Sequence, residues 1–263
     1  MKIKFLGVGA TLTPNFENTH FLIKDGENNL QVDASGGLSF AQKIRRKEIY
    51  FENIFITHVH TDHILGLFNM LRTIKREIPK LNIFCTKKVE NNIRDISKIV
   101  LKKGINDLFD NGIINFINID DLKENNIGEF KLKPLNLNST KMEQHGFLLE
   151  FNGKKVLFFG DEAFKIMQRQ DLEKFYGIDY LICEGLIPEY QSINGGGKID
   201  VDKMHHISAK QAGRIASKLK AKNLIIIHTK EIKNRQEELK NDAKLVFDGN
   251  VIVPNDGDEI EII

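Results

Sequence analysis

His58-Val59-His60-Thr61-Asp62-His63 places three imidazoles and one carboxylate within six positions. The residues before it, Asn53-Ile54-Phe55-Ile56-Thr57, read as a short buried strand that delivers the chain to His58. His58 and His60 stand two apart, so in an extended or turning segment both can face one ion. Asp62 and His63 are adjacent and diverge, which suits them to a second ion close by. Imidazole and carboxylate are ligands for zinc, manganese and iron alike. The competing reading is a solvated polar loop. With only 8 histidines in the whole chain, the gathering of three beside an aspartate weighs against it.

Outward from this run, strand-like and helix-like stretches alternate on both sides. Lys2–Val8, His20–Lys24 and Asn29–Asp33 read as strands, with a turn at Asp25-Gly26-Glu27-Asn28. Residues 38–47 read as a short helix. Residues 64–77 read as a longer one, with Leu65, Phe68, Leu71 and Ile74 at helical spacing and Pro79 beyond its end. A strand at Leu81–Cys85, a helix over 87–102 and a strand over 113–119 follow. Phe130–Leu137, Gly146–Phe151 and Lys154–Phe159 form an antiparallel series, the last two joined by the hairpin turn Asn152-Gly153. Tyr180–Cys183 is a strand, Ser208–Lys220 an amphipathic helix and Asn223–His228 another buried strand. The end of the chain reads as β-rich, with its turn at Asn255-Asp256-Gly257-Asp258.

No Pro/Gly/Ser linker interrupts this order, so residues 1–263 are expected to form one domain. The expected architecture is α/β: two mixed sheets packed face to face, with helices outside and ligand-type residues at strand ends. The chain is 41% apolar and 28% charged, ordinary for a globular protein. Its 38 basic and 36 acidic residues leave a net charge of +2, which gives no global electrostatic case for gripping long nucleic acid or an anionic membrane. No stretch approaches the ~18 apolar residues of a membrane span, and the alternating start lacks the apolar core of a secretion signal. Cys85 and Cys183 are too few for a disulfide framework or a four-cysteine zinc site, and a reducing cytoplasm is the expected location.

The His58–His63 run resembles the signature of the metallo-β-lactamase fold superfamily, whose pattern is His-x-His-x-Asp-His. Phe159-Gly160-Asp161 resembles that family's Gly-Asp motif, whose aspartate bridges two metals. His228, after Leu224–Ile227, resembles its last histidine ligand, and Asp33 falls where the family has a structural aspartate. His206-Ile207-Ser208-Ala209 narrows the resemblance to ribonuclease Z and the related small phosphodiesterases, in which such a histidine assists the leaving group. Cys183-Glu184 stands where those enzymes have His-Glu. Glu184 matches, Cys183 departs, and the retained carboxylate would orient His206.

The resemblance implies a four-layer αββα sandwich and two divalent ions, zinc or manganese, with iron as a third candidate. His58, His60 and His145 would hold one ion, Asp62, His63 and His228 the other, with Asp161 between. Asp62, His206 and Glu184 would be the catalytic residues. His145 is the weak member of the set. The family's histidine stands about six residues before the glycine of the next strand, where this chain has Thr140, with Asn138 and Ser139 beside it. Three readings stand: His145 supplies the ligand through a local loop shift, the second metal site is weakened, or His145 is only a strand-edge residue.

Other residues weigh less. His205 reads as a flanking polar residue, His20 as a strand-edge or supporting residue, and Lys43-Ile44-Arg45-Arg46-Lys47 as a solvated helix end. Asn194-Gly195-Gly196-Gly197-Lys198 lacks P-loop spacing and reads as a loop bordering the pocket, with Lys198 in reach of substrate. Cys85 and Cys183 read as small buried apolar residues.

Ribonuclease Z carries a tRNA-gripping arm between the histidine and the Gly-Asp motif. Here a single hairpin separates His145 from Asp161, which, with the near-neutral charge, argues against tRNA. The expected substrate is therefore a small phosphodiester, such as a cyclic nucleotide or cyclic ribose phosphate, turned over by a cytoplasmic homodimer. The alternatives are a ribonuclease Z-like RNA-processing nuclease, a lactone or thioester hydrolase using the same metal pair, and a non-catalytic protein with a degenerate metal site.

Overall fold

The strands around the histidine run are apolar at nearly every position because most of them are covered on both faces. The structure is a computed structural model describing residues 1–73, 79–139, 142–161, 167, 169–191 and 205–263. Seven strands form one sheet in the order β14 (Glu259–Glu261), β1 (Lys2–Gly7), β2 (His20–Asp25), β3 (Asn28–Val32), β4 (Asn53–Phe55), β5 (Leu81–Cys85) and β6 (Ile114–Asn118). A second sheet runs β13 (Asn250–Ile252), β12 (Asn223–Ile227), β11 (Tyr180–Glu184), β10 (Lys154–Phe158), β9 (His145–Phe151), β8 (Phe130–Asn136) and β7 (Asn125–Ile127). Both are mixed: β3 to β6 run parallel, as do β10 to β13, and the remaining pairs are antiparallel.

Alternate side chains of each strand enter different cores, the period-2 consequence of the pleat. Phe5, Phe21, Phe55, Phe147, Phe158, Ile182 and Ile225 meet between the sheets. Phe55 of the first sheet touches Phe147 of the second edge to face at 5.1 Å, and Phe21 touches Phe158 at 5.2 Å. Each such buried ring contributes on the order of 2 kcal/mol through area removed from water. The intervening residues face helices. Ile54, Ile83 and Cys85 pack against Phe40, Ile44, Leu67 and Ile93 from the helices Gly37–Arg45, Thr61–Leu71 and Lys87–Val100. Leu181, Cys183, Leu224 and Ile226 pack against Ala212, Ile215, Leu239 and Ala243 from the helices Ala209–Lys218 and Arg235–Lys244. The layers are therefore helix, sheet, sheet, helix, as expected.

The Asn152-Gly153 hairpin also forms, with both residues at positive φ (48° and 74°) and Phe151 opposite Lys154. Three features differ from the sequence reading. The helix after the histidine run begins at Thr61, so Asp62 and His63 lie in its first turn; residues 74–77 lie outside the described residues. Helices at Lys103–Asp110 and Arg235–Lys244 were not anticipated. The second buries only Leu239 and Ala243 among apolar residues, too sparse a stripe for periodicity to reveal. Strand β7, of 3 residues, is too short to show a period at all. Among the described residues no helix is long and apolar enough to cross a membrane.

The helix Thr61–Leu71 sits unusually close to the chain that leaves β3. The Ala34 N–H donates to the His63 carbonyl at 2.8 Å, and a Cβ on Gly66 would lie 2.6 Å from the Ala34 carbonyl oxygen. Alanine is the better helix former, yet here it would meet backbone. Gly66→Ala is expected to lose about 1–3 kcal/mol of stability in urea unfolding, the cost of forcing apart a packed contact.

His20 is wholly buried, its Nδ1 2.8 Å from the Asn18 carbonyl and 2.9 Å from Ser35 Oγ. Burial pushes its pKa down to about 4. A depressed folded-state value means that the unfolded chain binds the proton first. The stability is full above the unfolded value near 6.5 and is lost as pH falls toward 4, by about 3 kcal/mol. Unfolding measured from pH 7 to 4 should show this loss in the native protein and a smaller one in His20→Gln.

Candidate metal centre

Five strand ends and two helix starts converge at one end of the seam between the sheets. Asp33, directly after β3, is wholly buried and has φ 53°. A left-handed backbone at a non-glycine residue costs on the order of 1 kcal/mol, and it turns the carboxylate toward the neighbouring strand. Asp33 Oδ1 accepts the Thr57 N–H at 2.9 Å, and its two oxygens accept the Thr57 hydroxyl at 3.0 and 2.9 Å. Oδ2 lies 2.7 Å from His63 Nδ1. Burial pushes the Asp33 carboxyl up, against the pull of His63. The proton on His63 Nδ1 is thereby fixed, and Nε2 is turned to the opposite side, the arrangement by which carboxylates commonly orient metal-binding imidazoles.

His58 is held in the same way. Its Nδ1 lies 2.9 Å from Thr57 Oγ1, and its Nε2 lies 2.9 Å from His60 Nδ1. Asp161 follows β10, with Oδ2 3.3 Å from His63 Nε2 and 3.8 Å from His58 Nε2. Asp161 Oδ1 lies 3.4 Å from His228 Nε2, which is itself 3.6 Å from Asp62 Oδ2. His228 directly follows β12 at φ 51°, a second left-handed turn that aims a ligand-type side chain. Donor atoms lie within 4.8 Å of one another in three groups: His58, His60 and Asp161; Asp62, His63 and His228; Asp161, His206 and His228. Asp161 therefore stands between the half-sites.

His206 comes from the start of the helix Ala209–Lys218. Ser208 caps that helix, its Oγ accepting the Gln211 N–H at 3.2 Å while Gln211 Oε1 accepts the Ser208 N–H at 2.7 Å. This capping box is readable in Ser208-x-x-Gln211, and it fixes the entry of the segment carrying His206. His206 Nδ1 lies 2.6 Å from Oε2 of Glu184, which ends β11 and is buried. The His206 and His228 rings are nearly parallel, with centroids 5.2 Å apart.

The structure thus gathers His58, His60, Asp62, His63, Asp161, His206 and His228, with Glu184 behind His206. It does not bring His145 into any of the three groups. His145 opens β9, its N–H donates to the Thr57 carbonyl at 3.2 Å, and burial lowers its pKa. The residue before it, Gln144, lines the cavity instead, because neighbouring residues of an extended chain point to opposite sides. Thr140 and the 194–198 loop with Lys198 lie outside the described residues. His205 is exposed, and His20 packs against Phe40, away from the cluster. Thr11, which donates its hydroxyl to Asp62 Oδ2, has no sequence signal beyond its place in a Gly-rich turn after β1. The cavity in front of the cluster has a volume of about 400 Å³ and is lined by Thr11, Val59, His60, Thr61, Asp62, Gln144, Asp161 and His206 among the described residues.

The donor set fits divalent cations. Nε2 of His63 and of His228 is buried with no hydrogen-bond partner, a cost of about 1–3 kcal/mol each unless something else meets the lone pair. Burial alone would raise the carboxyl pKa of Asp161, yet His228, His63 and His58 pull it well below the usual range. Asp62 is likewise held low, its burial outweighed by His228 and His63. Burial would lower His63, but Asp161 and Asp33 raise it well above its ordinary value. His58, pushed down by burial and then by His63, stays neutral with its lone pair available. The pocket favours positive charge.

A double-sheet sandwich with such a cluster at the ends of its strands is the framework of a metal-dependent hydrolase, and this protein is one. It belongs to the beta-lactamase superfamily, whose domain model matches residues 28–229. Ribonuclease Z of Nitrosopumilus maritimus strain SCM1 is 25% identical over 317 aligned positions, covering 100% of both chains. The metallo-beta-lactamase fold protein YhfI from Bacillus subtilis superposes with a TM-score of 0.75 at 18% identity, covering 98% of each chain. A diphosphatase from the PhnP family superposes with a TM-score of 0.72 at 16% identity, covering 100% of this chain and 98% of that one.

Because the folded chain and not the unfolded one presents this cluster, metal should stabilise it, by about 3 kcal/mol at a hundredfold excess over the dissociation constant. Thermal unfolding with a chelator should fall below that in zinc or manganese. The difference should shrink in Asp161→Ala.

Proposed function

We propose that the protein hydrolyses a small phosphodiester, such as a cyclic nucleotide or a cyclic ribose phosphate, using two divalent ions. Zinc and manganese suit the ligands best, and iron is also accommodated. His58, His60 and Asp161 would hold one ion, and Asp62, His63 and His228 the other, with Asp161 shared. Bound there, the ions would supply Lewis acidity, easing deprotonation of water and neutralising charge on phosphoryl oxygens.

The observation that carries the reading is the Glu184–His206 pair beside the cluster. A phosphodiester releases an alkoxide, a poor leaving group that needs a proton. His206 lines the cavity, and with Nδ1 tied to Glu184 its Nε2 is the atom through which it works. The buried Glu184 carboxylate fixes the ring, so Nε2 faces the cavity as the atom that would pass a proton to a leaving oxygen. Asp62, anchored by Thr11, orients the attacking water. A cavity of about 400 Å³ suits one nucleotide-sized ligand, and the tight β9–β10 hairpin leaves no arm between His145 and Asp161. The same reading takes the working form as a cytoplasmic homodimer, which sizing in solution would check.

One observation favours a second reading. The full-length match to a curated ribonuclease Z makes RNA a competing substrate. Its alignment is longer than this chain, so that relative carries residues with no counterpart here.

The metal-loaded protein should hydrolyse bis-(p-nitrophenyl) phosphate and a cyclic nucleotide faster than it cuts a tRNA transcript or opens an acyl-homoserine lactone. The reverse order would sink the small-phosphodiester reading. His206→Ala should lose roughly 10²–10⁴-fold in kcat, the usual worth of a positioned acid, while metal content is unchanged. Loss of an ion would instead make His206 a ligand.

A further inference from the structure

We propose that Gln144 completes the ion site of His58, His60 and Asp161 with its side-chain amide oxygen, making this the weaker and more readily exchanged position of the pair. The inference rests on the two-ion reading above.

Gln144 is 1% exposed, and neither Oε1 nor Nε2 has a hydrogen-bond partner. A primary amide buried with both ends unmet carries the full desolvation penalty of those groups. Such an amide is retained where a missing ligand meets it. The side chain lines the same cavity as His60 and Asp161.

Backbone contacts say which ion it serves. The Gln144 carbonyl accepts the Leu137 N–H at 3.1 Å, and the next residue, His145, donates its N–H to the Thr57 carbonyl at 3.2 Å. Thr57 is the residue before His58, and Gly160 is the residue before Asp161. A Cβ built on Gly160 would lie 3.9 Å from Gln144 Oε1 and 3.9 Å from Thr57 Cβ. Gln144 Oε1 thus lies beside Gly160, and the backbone that carries it is tied to Thr57, the two residues that present Asp161 and His58.

The chemistry of the donors then divides the two positions. The Asp62–His63–His228 ion has a carboxylate of its own. The His58–His60 ion has two neutral imidazoles, a share of Asp161 and a neutral amide. An amide oxygen is harder and a weaker donor than an imidazole nitrogen, so this position binds less tightly and leans toward manganese over zinc.

Metal titration of the intact protein, by chelator competition with elemental analysis and by the visible absorption of cobalt, tests this. Two ions should bind, with dissociation constants at least tenfold apart. Gln144→Ala should weaken only the weaker position, by about 10–100-fold, the usual effect of perturbing a metal's surroundings. Gln144→His should tighten that position and change the cobalt spectrum as nitrogen replaces oxygen. Two ions whose constants are the same in the native protein and Gln144→Ala would overturn the inference and leave the two-ion reading standing. Fewer than two ions in the native protein would overturn both. Should Gln144→Ala fold poorly, Gln144→His decides alone, and an unaltered weaker constant and cobalt spectrum would refute the assignment.

Discussion

The carboxylate of Asp33 is the contact on which the metal centre hangs. It is buried beneath the cluster, out of reach of any ion's first contacts, and three groups depend on it: the Thr57 N–H, the Thr57 hydroxyl and His63 Nδ1. Thr57 passes the constraint on to His58 Nδ1, so imidazoles of both half-sites take their orientation from one side chain. Stripping one partner from such a buried network leaves a charge or lone pair stranded in a low dielectric, which costs several kcal/mol. The strained φ of Asp33 is small beside that, which is why the fold tolerates it.

The rest of the architecture holds this network at rest. β3 and β4 pair in parallel, with Gln31 beside Ile54 and Val32 beside Phe55, so Asp33 and Thr57 leave the sheet side by side. In the second sheet β10, β11 and β12 pair in parallel, so Asp161, Glu184 and His228 leave at one edge. The phenylalanines packed between the sheets hold the two edges at a fixed separation. Close-packed interiors yield little. The distances from Asp161 to His58 and His63, which come from the other sheet, are therefore set by core residues that never touch the site, and its distance to His228 by the β10–β11–β12 pairing.

Much of this was legible in the sequence. His58, Asp161 and His228 each follow an apolar strand, and the amphipathic stretch from Ser208 marks the helix behind His206. Two sheets with helices outside could be read from the alternation of strands and helices in both halves, and the four-layer αββα order from the family resemblance; central strands such as β12, apolar almost throughout, need that cover on both faces. What was not legible has physical reasons too. Ligand chemistry pointed to His145, but strand geometry turns the neighbouring Gln144 to the cavity, and an amide gives no motif signal. Thr11 reaches Asp62 from a distant loop, a tertiary contact that no local pattern encodes. The helix Arg235–Lys244 buries a charged residue, Arg235, whose guanidinium bonds Thr229 and the Pro254 carbonyl and stacks on Phe16 at 4.5 Å. Its role in holding the turn after His228 cannot be seen from hydrophobic periodicity.

The strand order carries a consequence for the order in which the molecule is completed. β14, at residues 259–261, lies beside β1 and covers the edge of the first sheet. The His58–His63 run is made early, while Asp161 and His228 belong to the other sheet and come later. During synthesis, then, the early histidines exist before the carboxylate and imidazole that close around their ions. β1 meanwhile waits with unpaired backbone groups, the kind of exposed edge that invites pairing with other chains. Closure of the cluster waits for His228 and protection of that edge for residues 259–261, so both follow the making of most of the two sheets.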